Sequence, residues 1–208
     1  MIKEIFNLQR KEHISSGKFS ISSVGSCFRK KYMEIKGLYR EEYTTQSLRN
    51  MDLGNLFHRQ AVKEILEKGE LAGFHIVGAE INIPQHPFIS GRIDQLLALD
   101  TTGELLVIDI KSCSDWILGK AKEGQVPQNY IDQLNLYLHF FKIKRGFIIF
   151  FGKHRGLIEE YEVKYDKTRA EKLISEIEVF IKEFVAKGIC PEKCNKSISP
   201  FGCKVCGI

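Results

Sequence analysis

No apolar run in the 208 residues approaches the roughly 20 that a membrane-spanning helix needs. The opening stretch, MIKEIFNLQRKEH, lacks the apolar core of a secretory leader. Internal repeats and low-complexity segments are missing, which excludes solenoids and arrays. A strong charge of either sign is missing as well. The 31 Lys+Arg against 26 Asp+Glu leave +5, which permits a polyanionic partner without demanding one. These absences lead to the expectation of a cytoplasmic protein (host cytoplasm, if the chain is viral) with no membrane partner. What is present is ordinary for a globular chain: 43% hydrophobic and 27% charged residues, enough to bury one core without staples. Six cysteines stand out against that background. A reducing compartment disfavours structural disulfides, so clustered thiols point to a metal or redox site.

The cysteines are unevenly placed. Cys27 lies near the start and Cys113 in the middle, while Cys190, Cys194, Cys203 and Cys206 crowd the tail ICPEKCNKSISPFGCKVCGI. Cys203 and Cys206 form a C-x2-C pair, whose turn can aim both sulfurs at one metal centre. From spacing alone, the four tail thiols could close a tetrahedral zinc site, or Cys27 and three tail thiols could hold an iron–sulfur cluster.

Hydrophobic periodicity orders the rest. Residues 19–37 begin with a Ser-rich cap signal and then read as helix. Residues 46–68 read as an amphipathic helix, with Leu48, Met51, Leu56, Val62, Ile65 and Leu66 on its apolar side and Gly69 ending it. Strands are expected at 74–83, 88–99 and 104–111. The unbroken Leu105–Ile108 run marks a strand buried on both faces. A helix at 129–143, strands at 147–151 and 157–163 joined by the basic turn GKHRG, and a helix at 168–187 follow. The order specifies a mixed α/β domain.

Two acids sit on successive strands of that pattern, in Gly91-Arg-Ile-Asp94 and Asp109-Ile-Lys111. A carboxylate on an apolar strand is costly unless paired or metal-bound. Asp109 and Lys111 share a face because strand side chains alternate, and neighbouring strands would bring Asp94 beside them. Two carboxylates and a lysine suit Mg²⁺ or Mn²⁺, hard ions that take oxygen ligands and activate water toward a phosphate. Glu80 is a further candidate for the acidic cluster.

These residues resemble the PD-(D/E)xK nuclease signature. Gly54-Asn-Leu-Phe-His58 and Gln133-Leu-Asn-Leu-Tyr137 resemble the Gly-x-x-x-His and Gln-x-x-x-Tyr helix motifs of its RecB-like branch. With the cysteines, the likeness narrows to RecB-like nucleases carrying an iron–sulfur cluster, including CRISPR-associated adaptation nucleases and viral relatives. The resemblance implies a restriction-endonuclease-like α/β core, a central mixed sheet flanked by helices, over about residues 46–187. A cysteine-ligated cluster subdomain would be built from 19–45 and 188–208, all within a single nuclease domain 1–208. It further implies His58, Asp94, Asp109 and the Ile110 carbonyl as Mg²⁺ or Mn²⁺ ligands, Lys111 as the catalytic lysine, and Gln133 and Tyr137 as residues positioning substrate or the active-site face. Cys27, Cys194, Cys203 and Cys206 would hold a [4Fe–4S] cluster, with Cys190 the alternative to Cys194 and Cys113 structural. The implied reaction is hydrolysis of DNA by metal-activated water, as an exonuclease on single strands with 5′→3′ the favoured polarity and a 5′-phosphate product, with endonuclease activity compatible as well. CRISPR adaptation or recombination proteins are the implied partners, and an oligomer is compatible with the family. Arg29, Lys30, Lys31 and Arg92, with Lys153, His154 and Arg155, are candidate phosphate contacts, and Phe28, Tyr32, Trp116 and Tyr130 candidate stacking residues. Two competing readings are a weakly catalytic DNA-binding subunit and a zinc-ribbon nucleic-acid binder.

Overall fold

The structure, a computed structural model, describes residues 17–40, 44–195 and 203–207. The leader reading of the first residues, and the parts of the expected cluster subdomain at 41–43, 196–202 and 208, lie outside the described residues. No described helix is long and apolar enough to cross a membrane.

The chain runs β1 (Phe19–Ser20), a 3-10 turn (Ile21–Ser23), α1 (Phe28–Ile35), α2 (Thr45–Lys68), β2 (Phe74–Asn82), β3 (Ile89–Ser90), β4 (Arg92–Leu99), β5 (Leu105–Cys113), α3 (Asp115–Lys122), α4 (Gln128–Phe141), β6 (Arg145–Gly152), β7 (Ile158–Lys164) and α5 (Lys167–Val179). Five strands form the central sheet in the order β2-β4-β5-β6-β7. Only the β5–β6 pair is parallel, which its intervening α3 and α4 crossover permits; the other three pairs are antiparallel. This is a mixed α/β fold with a mixed sheet between helices. Short β1 and β3 pair separately and in parallel.

Alternation along the central strands fills both faces. Val107 of β5 and Ile148 and Phe150 of β6 face α4 and α5, beside Leu134, Leu138, Leu173 and Ile177. Leu106, Ile108, Ile110 and Phe151 face α2, where Ala61, Phe57 and Ile65 meet them. The expected two-sided burial of Leu105–Ile108 therefore holds from Leu106 onward, with Leu105 exposed at the strand's start.

Four sequence expectations change. Within 19–37 the stretch ahead of the helix is itself structured, and the cap is a cysteine rather than a serine. Phe19 and Ile21 are buried on a short strand and a 3-10 turn, and helix begins at Phe28 with Cys27 as its N-cap. The strand expected over 88–99 is interrupted at Gly91, where an added Cβ would lie 2.8 Å from Ile21 Cδ1 and 3.0 Å from Tyr137 Cε1. α2 buries only Ala61 fully, while Met51, Leu56 and Leu66 are exposed, so its apolar side is only partly used. The final helix leaves α geometry at Phe180. Phe180–Val185 winds as a π-helical turn, which keeps Phe180, Ile181 and Val185 all buried.

A buried ionic network fixes α4 to the start of α5. Asp132 of α4 accepts from Arg169 Nε and Nη2 at 2.9 and 2.6 Å, and from Gln128 Nε2 at 2.9 Å. Asn135 brackets Asp166, donating to its carbonyl and accepting its N–H, both at 2.9 Å, and Asp166 caps α5 through Arg169 N. Arg169→Ala would strand the buried Asp132 carboxylate. It should cost about 2 kcal/mol and lower the thermal midpoint by about 4–8 °C. An unchanged midpoint would show that the network does not hold the helix pair.

Candidate active site

β4 and β5 stay paired from Ala98↔Leu105 to Gln95↔Ile108 and then part. Beyond that point β4 runs back through Asp94 to Arg92 while β5 continues with β6 alone to Cys113. The gap between the separating strands is a cleft of about 430 Å³. His58, Arg92, Asp94, Asp109, Ile110, Lys111, Gln133 and Tyr137 line it, together with Ser20, Ser22 and Ser112.

Asp94 bridges the gap: its Oδ2 accepts the Ile110 N–H at 2.7 Å, replacing the lost strand pairing. In a strand, the N–H and C=O of one residue point to the same side, so the Ile110 carbonyl is turned toward the cleft as well. Asp94 Oδ1 faces His58 Nδ1 at 3.6 Å. His58 arrives from the other side of the sheet on α2, and Gly54 lets it come close: a Cβ there would sit 3.2 Å from Ser112 Oγ on β5. The Gly-x-x-x-His spacing thus puts the close-approach residue and the histidine about one turn apart on the same helix face.

Asp109 is 3% exposed, and Lys111 reaches back to it from the same face of β5. Lys111 Nζ donates to Asp109 Oδ1 at 3.2 Å and lies 2.8 Å from Oδ2. Oδ2 is fully buried and has only this ion-pair contact, with no aligned hydrogen bond. Gln133 of α4 completes the group. Its Oε1 accepts from Lys111 Nζ and its Nε2 donates to Asp109 Oδ1, each at 3.1 Å. The Lys111 ammonium also lies 5.2 Å from the centre of the Tyr130 ring. Burial pushes the Asp109 carboxyl up to about 6; Lys111 opposes the rise and the neighbouring Asp94 adds to it. Burial, reinforced by the Asp109 charge, likewise pushes the Tyr137 phenol up to about 12. Asp94 Oδ1, 3.6 Å from His58, and the Asp109 carboxylate held by Lys111 bring two carboxylates to one cleft. That donor set fits a hard divalent cation.

The other expected residues are placed as follows. Arg92 lines the cleft mouth and contacts Glu80 Oε1 at 3.2 Å, so Glu80 engages an arginine rather than the acidic group. Arg29 Nη1 donates to the Pro191 carbonyl at 2.8 Å, and Lys31 pairs with Glu34 at 2.9 Å. The segment Arg29–Lys31 thus faces the tail and its own helix, outside the cleft lining. Of the aromatic candidates, Phe28 stacks on Phe180 with centroids 4.7 Å apart, Tyr32 is buried with its hydroxyl donating to the Gly188 carbonyl at 2.9 Å, and Trp116 is exposed. Sequence reasoning missed Ser20 and Ser22 as cleft residues. Their signal was the alternation Phe19-Ser-Ile-Ser22, in which the apolar pair is buried and the serines, joined Oγ to Oγ at 2.8 Å, face the cleft.

Five residues beyond Ser22, the same segment enters a second site. Cys27, Cys194, Cys203 and Cys206 are all buried, with their sulfurs within 4.8 Å of one another. Cys190 is exposed and outside the group, and Cys113 is buried separately at the end of β5. Burial alone would raise the Cys206 thiol, but the Cys194 N–H, 3.3 Å from its sulfur, and the surrounding thiols hold it below its ordinary value.

No family model and no curated protein matches the sequence. The fold does have solved counterparts. The alkaline exonuclease LHK-Exo from Laribacter hongkongensis superposes with a TM-score of 0.62 at 16% identity, over 82% of this chain and 89% of that one. Its complex with dAMP gives the same TM-score and coverage at 18% identity. A phage-related exonuclease from Haemophilus somnus 129PT matches with a TM-score of 0.55 at 14% identity, over 88% of this chain and 99% of that one. The chain therefore shares the fold of these exonucleases along most of its length.

Gly91→Ala tests how the cleft is assembled, because its methyl group would strike both Ile21 and Tyr137. Overpacking there should cost about 1–3 kcal/mol, read as a lower urea midpoint with an unchanged slope. An unaltered midpoint would show that the segment bearing Ser20 and Ser22 is not packed as described.

Proposed function

We propose that the protein is a divalent-metal-dependent deoxyribonuclease, an exonuclease that hydrolyses single-stranded DNA ends 5′→3′ and leaves 5′-phosphates. The observation that carries the reading is the meeting of Asp94, Asp109 and Lys111 in one cleft, with the Lys111 ammonium 2.8 Å from the buried Asp109 carboxylate. The shared fold with exonucleases, one of them in complex with dAMP, supports a DNA substrate. The sequence resemblance supports single-stranded ends and the 5′→3′ direction.

His58, Asp94, Asp109 and the Ile110 carbonyl would hold Mg²⁺ or Mn²⁺. When bound, the cation supplies polarisation of the phosphodiester and acidification of a water molecule. The chain's own groups do the rest. Gln133 ties Lys111 and Asp109 together, so the ammonium enters the cleft from a fixed direction. There it stabilises the charge that develops on the phosphate oxygens. Tyr137, one turn along α4, keeps its proton at neutral pH and walls the cleft beside Gly91. Arg92 at the mouth contributes a phosphate contact. A place in CRISPR adaptation or in viral or host recombination, with partners from those systems, is the setting that the sequence resemblance supports. The resemblance also assigns a [4Fe–4S] cluster to the four buried thiols. An all-thiol, buried donor set supports a thiophilic metal centre there.

End-labelled single strands digested with Mg²⁺ or Mn²⁺ test the reading. Lys111→Ala and Asp94→Ala should each lower the rate at least about 100-fold while the protein remains folded by circular dichroism. Undiminished digestion by both variants would overturn the site.

A further inference from the structure

The spacing of the four sulfurs carries information about what they bind. A single tetrahedral ion with metal–sulfur bonds of about 2.3 Å sets its ligand sulfurs about 3.8 Å apart. Here all four sulfurs lie within 4.8 Å of one another, and those of Cys27 and Cys206 are 3.6 Å apart. A cuboidal cluster makes a different demand. Each thiolate binds its own iron, and a core of irons and sulfides stands between the sulfurs, which must be spread well beyond contact. The four-iron cluster implied by the resemblance does not fit this spacing.

The walls of the site are tied together at that spacing. Cys27 is the N-cap of α1, and its sulfur accepts the Lys30 N–H at 3.5 Å. Cys203 and Cys206 form a tight turn, in which Cys206 N and Gly207 N donate to the Cys203 carbonyl at 3.0 and 2.9 Å. Gly207, at φ +71°, supplies the left-handed residue that ends the turn. The Cys194 N–H donates to the Cys206 sulfur. Two further hydrogen bonds pin α1 to the incoming tail, Arg29 to the Pro191 carbonyl at 2.8 Å and Tyr32 to the Gly188 carbonyl at 2.9 Å. Widening the site for a cluster would pull against these ties.

We infer that Cys27, Cys194, Cys203 and Cys206 hold one tetrahedral Zn²⁺ in place of a [4Fe–4S] cluster, closing the two ends of the chain around a mononuclear structural site. Zinc is the thiophilic, redox-inert ion for a closed, buried four-sulfur set. Arg29 of α1 then serves the tail beside the metal site, consistent with its absence from the cleft lining.

The test is metal and acid-labile sulfide analysis of the full chain, purified without oxygen from cells supplied with both iron and zinc. The expected result is one zinc per chain, no labile sulfide and a colourless protein. Cys194→Ser and Cys206→Ser should lose the zinc, while Cys190→Ser and Cys113→Ser keep it. Stoichiometric iron with labile sulfide and brown absorption would overturn the inference, as would zinc retained by all four variants. The wild-type stoichiometry stands on its own if the ligand variants fail to fold. The readout is also independent of nuclease activity, so either proposal can fail alone.

Discussion

A carboxylate on a buried strand must be met by positive charge or be protonated, and Asp109 is met from several directions at once. Lys111 answers it from its own strand, Gln133 from the helix packed above, and Asp94 presses against it from the neighbouring strand. The charge is still costly to keep there: burial pushes the carboxyl up to about 6. A stable core with no other task would replace such a group with an apolar residue, since buried ion pairs seldom repay their desolvation. Its persistence at the point where two strands separate makes sense if a cation occupies the gap and takes up the spare oxygens.

Much of the remaining architecture supports that point. The α4–α5 network through Asp132, Arg169 and Asp166 fixes the helix that delivers Gln133 and Tyr137. Gly54 lets α2 approach β5 closely enough for His58 to reach across the sheet, and Gly91 lets Ile21 and Tyr137 pack against the start of β4. The segment from Phe19 to Cys27 then joins the two sites. Its serines form one wall of the cleft, its apolar residues fill the core, and its last residue belongs to the four-thiol group. The thiol centre, by holding that segment's end to the tail, keeps the cleft wall in place.

The sheet and the acid–lysine group were legible because both follow from short-range pattern. Alternation put Asp109 and Lys111 on one face, and an i, i+4 spacing put Gln133 and Tyr137 on another. Only the pairing of β4 with β5 had to be supplied by the fold. What escaped depended on tertiary placement. α3 had its signals, Ser114 before Asp115 and lysines in its last turn, but it buries only Leu118 and Ala121, so it carried little periodicity. The exposed apolar residues of α2 have the spacing of a core face and only partly serve as one. Spacing could not choose between Cys190 and Cys194; the turn at Gly188, anchored by Tyr32, leaves the first exposed and carries the second inward.

Whether a cation fills the gap between β4 and β5 is decided by diffusing Mn²⁺ into crystals of the protein and locating it by anomalous scattering. The expected result is a manganese ion in the cleft, contacted by Asp94, Asp109, His58 and the Ile110 carbonyl, with the Lys111–Asp109 contact rearranged around it. A cleft without manganese at saturating concentration, with that ion pair unchanged, would mean that the carboxylates do not form a cation site.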